Sequence, residues 1–111
     1  MEGYKMFKYQ LTIGLNDKDT LRQEIATNSA KKMIADLLLN DYNIYAFTMI
    51  DCSGVYKMNS GEIIFENSIR LEIVNDCEIK MIQGIINTLK FALNQECIML
   101  ETAAGSDIQF I

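Results

Sequence analysis

Tyr9, Leu11, Ile13 and Leu15 alternate with Lys8, Gln10, Thr12 and Gly14. A period of two over this length predicts a half-buried first strand. Asn16-Asp17-Lys18-Asp19-Thr20 breaks the alternation with turn-prone residues. From Thr27, read as an N-cap, Ala30, Met33, Ile34, Leu37 and Leu38 fall at helical spacing, and Asn40-Asp41 ends that helix. Tyr42 to Ile50 reads as a second strand with two apolar faces: Ile44, Ala46, Thr48 and Ile50 on one, Tyr45, Phe47 and Met49 on the other. Asp51-Cys52-Ser53-Gly54 predicts a turn, Val55 to Met58 a short strand, and Asn59-Ser60-Gly61 a hairpin. A long strand follows, with Ile63, Phe65, Asn67, Ile69, Leu71 and Ile73 on one face and Glu62, Ile64, Glu66, Ser68, Arg70 and Glu72 on the other.

Asn75-Asp76-Cys77-Glu78 has the form of a capping box. Ile79, Ile82, Ile86, Leu89 and Leu93 then repeat at three and four, the clearest amphipathic helix in the chain. Gly84 inside it costs roughly 1 kcal/mol against Ala and suggests close contact with the sheet. Asn94-Gln95 closes the helix, Cys97 to Leu100 forms a last core strand, and Ala104 to Asp107 leads to an apolar tail, Ile108 to Ile111. The order predicts one α+β domain over residues 1–111. It is a ferredoxin-like two-layer sandwich with two helices on one face of an antiparallel sheet. The pattern is βαββαβ with an extra hairpin strand and a C-terminal tail strand.

Gly54-Val55-Tyr56, the run from Gly61 to Glu66, and Leu93 to Met99 carry a resemblance. The chain resembles, over roughly Tyr9 to Leu100, a family of small bacterial and phage proteins known only as a domain of unknown function. The resemblance implies the ferredoxin-like fold and carries no catalytic residues over.

Composition narrows the chemistry. The chain has 111 residues, half of them hydrophobic, a net charge of −5, no histidine and no tryptophan. Without histidine there is no His-based triad, phosphorelay or His-zinc site. Net acidity opposes phosphate contact, so no direct nucleic-acid partner is expected. No apolar run reaches the ~18 residues a membrane span needs, and no apolar leader opens the chain, so a cytoplasmic protein is expected. Cys52, Cys77 and Cys97 are odd in number and widely spaced, and read as reduced, buried small hydrophobes. Asp17 and Asp19 do not continue into an EF-hand pattern. No metal and no cofactor are therefore expected.

Glu62 and Glu66 share a strand face but stand roughly 13 Å apart by strand rise, too far for a pair of glycosidase carboxylates. Glu66 is expected to pair with Arg70, Lys8 or Lys57. Cys52 lacks a basic partner that would activate it. With no catalytic constellation, the leading expectation is a non-enzymatic binding module that self-associates through its sheet. Tyr45, Phe47 and Met49, or the set facing opposite, would stand on the open side with Ile64. A second reading is a phage-type anti-defence inhibitor, anti-CRISPR-like, that presents Asp17, Asp19, Glu24, Glu62 and Glu66 to a partner with a basic surface. A third is a small-molecule-binding regulatory domain.

Overall fold

The computed structural model describes residues 6–104. They form β1 (Phe7–Gly14), α1 (Thr27–Asp36) with a π-helical turn at its end (Leu37–Asp41), β2 (Thr48–Lys57), β3 (Ile63–Asn75), α2 (Ile79–Ala92) and β4 (Met99–Ala104). The four strands make one sheet in the order β2-β3-β1-β4, with every neighbouring pair antiparallel. That is the ferredoxin-like arrangement expected from the element order.

Register decides which side chains meet the helices. Tyr9, Leu11 and Ile13 on β1 stand opposite Ile73, Leu71 and Ile69 on β3. All six are buried, together with Ala30, Ile34 and Leu38 from the α1 segment and Ile82, Ile85 and Leu89 from α2. One face of the sheet thus carries both helices. Each fully buried aliphatic side chain contributes about 1.5–3 kcal/mol relative to exposure, so this layer holds the domain together.

Several local expectations are corrected. Asp51 to Gly54 does not turn: it runs on inside β2, pairing with β3 from Ile69 to Glu66. An edge strand tolerates these residues because one side of its backbone is unpaired, and Asp51 is further held by Lys31 at 3.1 Å. The expected extra hairpin strand is therefore the outer half of β2. Residues 42–47 lie outside the strand because Asn43 adopts a left-handed φ of 54° and Ile44 donates its N–H back to the Leu38 carbonyl at 2.8 Å. Thr27 is the first residue of α1, not its cap; the cap position is Ala26, and the Thr27 hydroxyl accepts from Gln23 Nε2 at 3.0 Å. Asn75 ends β3 and makes a tight turn, its Oδ1 accepting the Cys77 N–H at 2.8 Å, while α2 starts without a side-chain cap. Gly84 leaves room for Tyr42, not for the sheet: a Cβ there would meet Tyr42 Oη at 3.3 Å. The last strand begins two residues later than expected, and the tail strand from Ile108 to Ile111 falls outside the described residues.

β3 outruns β1. Its pairing with β1 stops at Gly14–Ser68, whereas its pairing with β2 continues from Ser53–Asn67 to Lys57–Ile63. The rungs beyond Gly54–Glu66, at about 3.3 Å each, project from the two-layer body as a bare hairpin. The described residues accordingly span 57 × 27 × 24 Å.

Candidate functional site

The face of the sheet away from the helices is polar at its centre and contains one unusual carboxylate. On β3 it presents Ile64, Glu66, Ser68, Arg70 and Glu72, as the alternation with buried Ile69, Leu71 and Ile73 requires. Glu66 stands at the root of the projecting hairpin, opposite Gly54 on β2. Its Oε2 accepts the Asn16 backbone N–H at 2.9 Å. It fits there only because Gly14 has no side chain: a Cβ on Gly14 would lie 2.7 Å from the carboxyl carbon and from both oxygens. The expected ion pair of Glu66 does not form. Lys8 is taken by Glu72 at 3.3 Å, and among the described residues no cationic side chain lies within ion-pair distance of Glu66. A half-buried carboxylate held by a backbone donor, with no counter-charge of its own, can receive a cation.

The loop after β1 is locked so that this donor stays in place. Leu15 N–H bonds to the Asn67 carbonyl at 3.0 Å, and Asn67 Nδ2 donates to Gln23 Oε1 at 2.8 Å. From the C-terminal end of α2, buried Gln95 donates to the Asn16 carbonyl at 2.8 Å. Asn94, at a φ of 48°, donates to Asp17 and Asp19 at 3.0 and 2.9 Å. These bonds hold the Asp17 carboxyl below the usual carboxylate range, the Asn94 amide contributing most and the Asp19 N–H next. Elsewhere, burial pushes up the Tyr9 phenol, whose hydroxyl donates to the Cys77 carbonyl at 2.8 Å. Burial, then Asp76, pushes up the Cys77 thiol.

The residues singled out from the sequence are redistributed by this geometry. Asp17, Asp19 and Glu24 do share the loop, but Asp17 is occupied in shaping it, its Oδ1 accepting the Asp19 and Thr20 N–H groups. Glu24 accepts from the Thr20 hydroxyl and pairs with Arg22. Glu62 lies far off at the hairpin end, and Glu66 faces the open sheet. The apolar set is corrected as well. Phe47 and Met49 pack against the core, Met49 standing opposite buried Leu71, and Tyr45 is exposed in the connection before β2. Of the opposite set, Ile44 is buried and Ala46 lies before β2; the open side of β2 carries Thr48, Ile50, Cys52, Gly54 and Tyr56, with Ile64 facing Tyr56. The projecting hairpin groups several exposed apolar side chains, Phe65 at 73%, Val55 at 61% and Ile63 at 58%, while Phe91 on α2 and Tyr45 are also exposed.

Gly14, Asn16 and Gln95 could not be chosen in advance, because their link to Glu66 exists only once the loop folds back. Among the described residues no cluster of three or more His, Cys, Asp or Glu is placed to hold a metal ion, and no helix is long and apolar enough to cross a membrane.

No family model matches the chain, and no curated protein matches it. Solved structures do. A phage SAM lyase in complex with S-methyl-5'-thioadenosine superposes with a TM-score of 0.69 at 21% identity, covering 99% of this chain and 88% of that one. CutA from Synechococcus elongatus gives 0.60 at 9% identity, over 94% and 80%. A Bacillus subtilis GlnK–ATP complex gives 0.58 at 10% identity, over 93% and 85%. The shared property is the fold. It overturns the expectation that this chain is no enzyme, for almost its whole length is laid out as in a lyase, with and without that enzyme's ligand. Lack of histidine removes histidine chemistry only.

Proposed function

We propose that this chain is a small enzyme of the SAM-lyase kind, acting on an adenosyl sulfonium, and that it works as a homo-oligomer. The observation that carries the reading is Glu66: a carboxylate fixed by the Asn16 N–H, without a cationic partner among the described residues, and flanked by glycines at 14 and 54. A sulfonium is a permanent cation that no proton transfer can neutralise, so a fixed carboxylate is the natural complement. As an oxygen of the ligand's own α-carboxylate bonds to the carbon attached to sulfur and closes a lactone, the carbon–sulfur bond breaks, its bonding pair ends on sulfur and the sulfonium charge disappears. Placement of the ligand then matters more than a histidine-like proton shuttle. Two of the similar structures hold adenosine-containing ligands, S-methyl-5'-thioadenosine and ATP, which supports an adenine nucleoside as the common part. Gly54 adds to this. A Cβ there would meet nothing closer than a backbone oxygen at 3.9 Å, so its own chain does not require glycine. Glycine inside a strand then fits close approach by a ligand or another backbone.

The homo-oligomer rests on the hairpin. A two-stranded ribbon is marginal alone in water, and this one exposes Val55, Ile63 and Phe65 on one face and Tyr56 on the other. A second copy would cover these side chains and wall in the open sheet beside Glu66. The lyase is a phage protein, and this chain is read as one of the same kind. A regulatory reading, adenine-nucleotide binding without turnover, is favoured by the GlnK–ATP likeness alone; turnover separates the two.

The test is to incubate the protein with S-adenosylmethionine and follow S-methyl-5'-thioadenosine by chromatography, with calorimetry for binding. Glu66→Gln should weaken S-adenosylmethionine about tenfold while barely changing the neutral thioether, as expected for one partly screened charge pair. Binding without product would favour the regulatory reading. No binding of any adenosyl ligand would end both.

A further inference from the structure

Arg70 lies on the same open face as Glu66, four residues further along β3, and is exposed. The chain has only two arginines, and the other, Arg22, pairs with Glu24 at 3.7 Å. Arg70 makes no ion pair among the described residues. Its neighbours across the sheet, Thr12 on β1 and Ile50 on β2, are uncharged. The nearest carboxylates along its own strand face make no ion pair with it: Glu72 pairs with Lys8, and Glu66 is positioned by the Asn16 N–H.

The rung between Glu66 and Arg70 is low. Across the three strands it reads Gly14, Ser68 and Cys52, all small. Ser68 is only 8% exposed and its hydroxyl makes no hydrogen bond among the described residues. The sheet therefore offers a shallow floor with an idle hydroxyl, an anionic post at one end and a cationic post at the other. The two Cα atoms are about 13 Å apart by strand rise, and both side chains are long enough to lean over the floor between them.

We infer that Arg70 receives the α-carboxylate of an adenosyl amino acid whose sulfur lies toward Glu66, so that the site selects ligands retaining the amino-acid part over the bare methylthioadenosine. The inference rests on the proposed adenosyl site. A guanidinium presents paired N–H donors in a planar fork that matches a carboxylate in two parallel hydrogen bonds. S-Methyl-5'-thioadenosine has no carboxylate and cannot make this contact. The arrangement also orients the ligand, because its positive and negative ends meet complementary posts.

The experiment uses two neutral-sulfur probes, S-adenosylhomocysteine, which carries the carboxylate, and S-methyl-5'-thioadenosine, which does not. Calorimetry on the wild type, Arg70→Gln and Arg70→Lys gives the affinities, with circular dichroism confirming the fold of each. Arg70→Gln should weaken S-adenosylhomocysteine about tenfold or more and change S-methyl-5'-thioadenosine less than about twofold, as loss of a charge-assisted pair requires. Arg70→Lys, which keeps the charge but loses the fork, should fall between. Equal weakening of both probes, or no weakening of either, would overturn the role of Arg70 while leaving the adenosyl site intact. Failure of the wild type to bind either probe would remove the site and this inference together.

Discussion

Gly14→Ala separates the carboxylate's placement from the stability of the fold. The new Cβ would sit 2.7 Å from the carboxyl carbon and both oxygens of Glu66, closer than non-bonded carbon allows. The strand cannot easily move, because Gly14 is paired to Ser68 and is followed by the Leu15–Asn67 backbone bond. The flexible carboxylate yields instead and gives up its 2.9 Å bond from the Asn16 N–H. A charge-assisted bond of this sort contributes about 1.5 kcal/mol, less where water competes. Alanine in place of strand glycine returns about 0.5–1 kcal/mol of backbone entropy. The two nearly cancel, so denaturation midpoints should shift little, by less than about 5 °C in a domain this small. S-Adenosylmethionine affinity should nevertheless fall about tenfold, and the Asn16 amide resonance should move as its acceptor leaves. An unmoved Asn16 amide with unchanged affinity would refute the reasoning. So would a loss of stability beyond about 3 kcal/mol, which would make Gly14 a packing residue of the fold.

Two further outcomes follow from the same geometry. Light scattering should give an oligomer for the wild type and a 12.7 kDa species for Phe65→Glu with an unchanged circular dichroism spectrum; a wild type of 12.7 kDa would remove the hairpin's role in assembly. Because the folded Asp17 carboxyl is lowered below 3.8, chiefly by Asn94, its stabilising contribution is full above that value and is lost as pH falls through the folded value. Asp17→Asn should then be less stable than wild type near neutrality, with the difference closing in acid; a difference constant with pH in urea melts would contradict this.

The parts of the fold legible in the sequence are those whose period is set by one buried face. Tyr9, Leu11 and Ile13, the Ile69–Leu71–Ile73 run, and Ile82 with Leu89 all read correctly because each meets the same core. β2 did not, since its outer half meets no core: Val55 is exposed, and Asp51, Ser53 and Gly54 carry turn chemistry into an edge strand. Ile44 misled in the other direction, being buried from a connection whose backbone Asn43 had already bent. Glu66 reads from the sequence as a strand-face carboxylate, but its partner lies fifty positions away in the backbone of Asn16. No local pattern encodes that contact. From the sequence Arg70 reads only as a candidate partner for Glu66, and its role changes because Glu72 pairs with Lys8 and Glu66 is held at the Asn16 N–H without pairing to it.

The uneven length of the strands gives the molecule a cantilever. β3 is clamped on one side by β2 and on the other by β1 and the loop after it as far as Glu66, and beyond that residue it is held by β2 alone. Two-stranded ribbons twist more freely than wide sheets, so bending in β3 collects in the overhang. Glu66 sits beside the clamp, where displacement is smallest, and Ile63 sits near the free end, where it is largest. A displacement at the tip can therefore be taken up in the overhang while the carboxylate at the root keeps its position against Asn16.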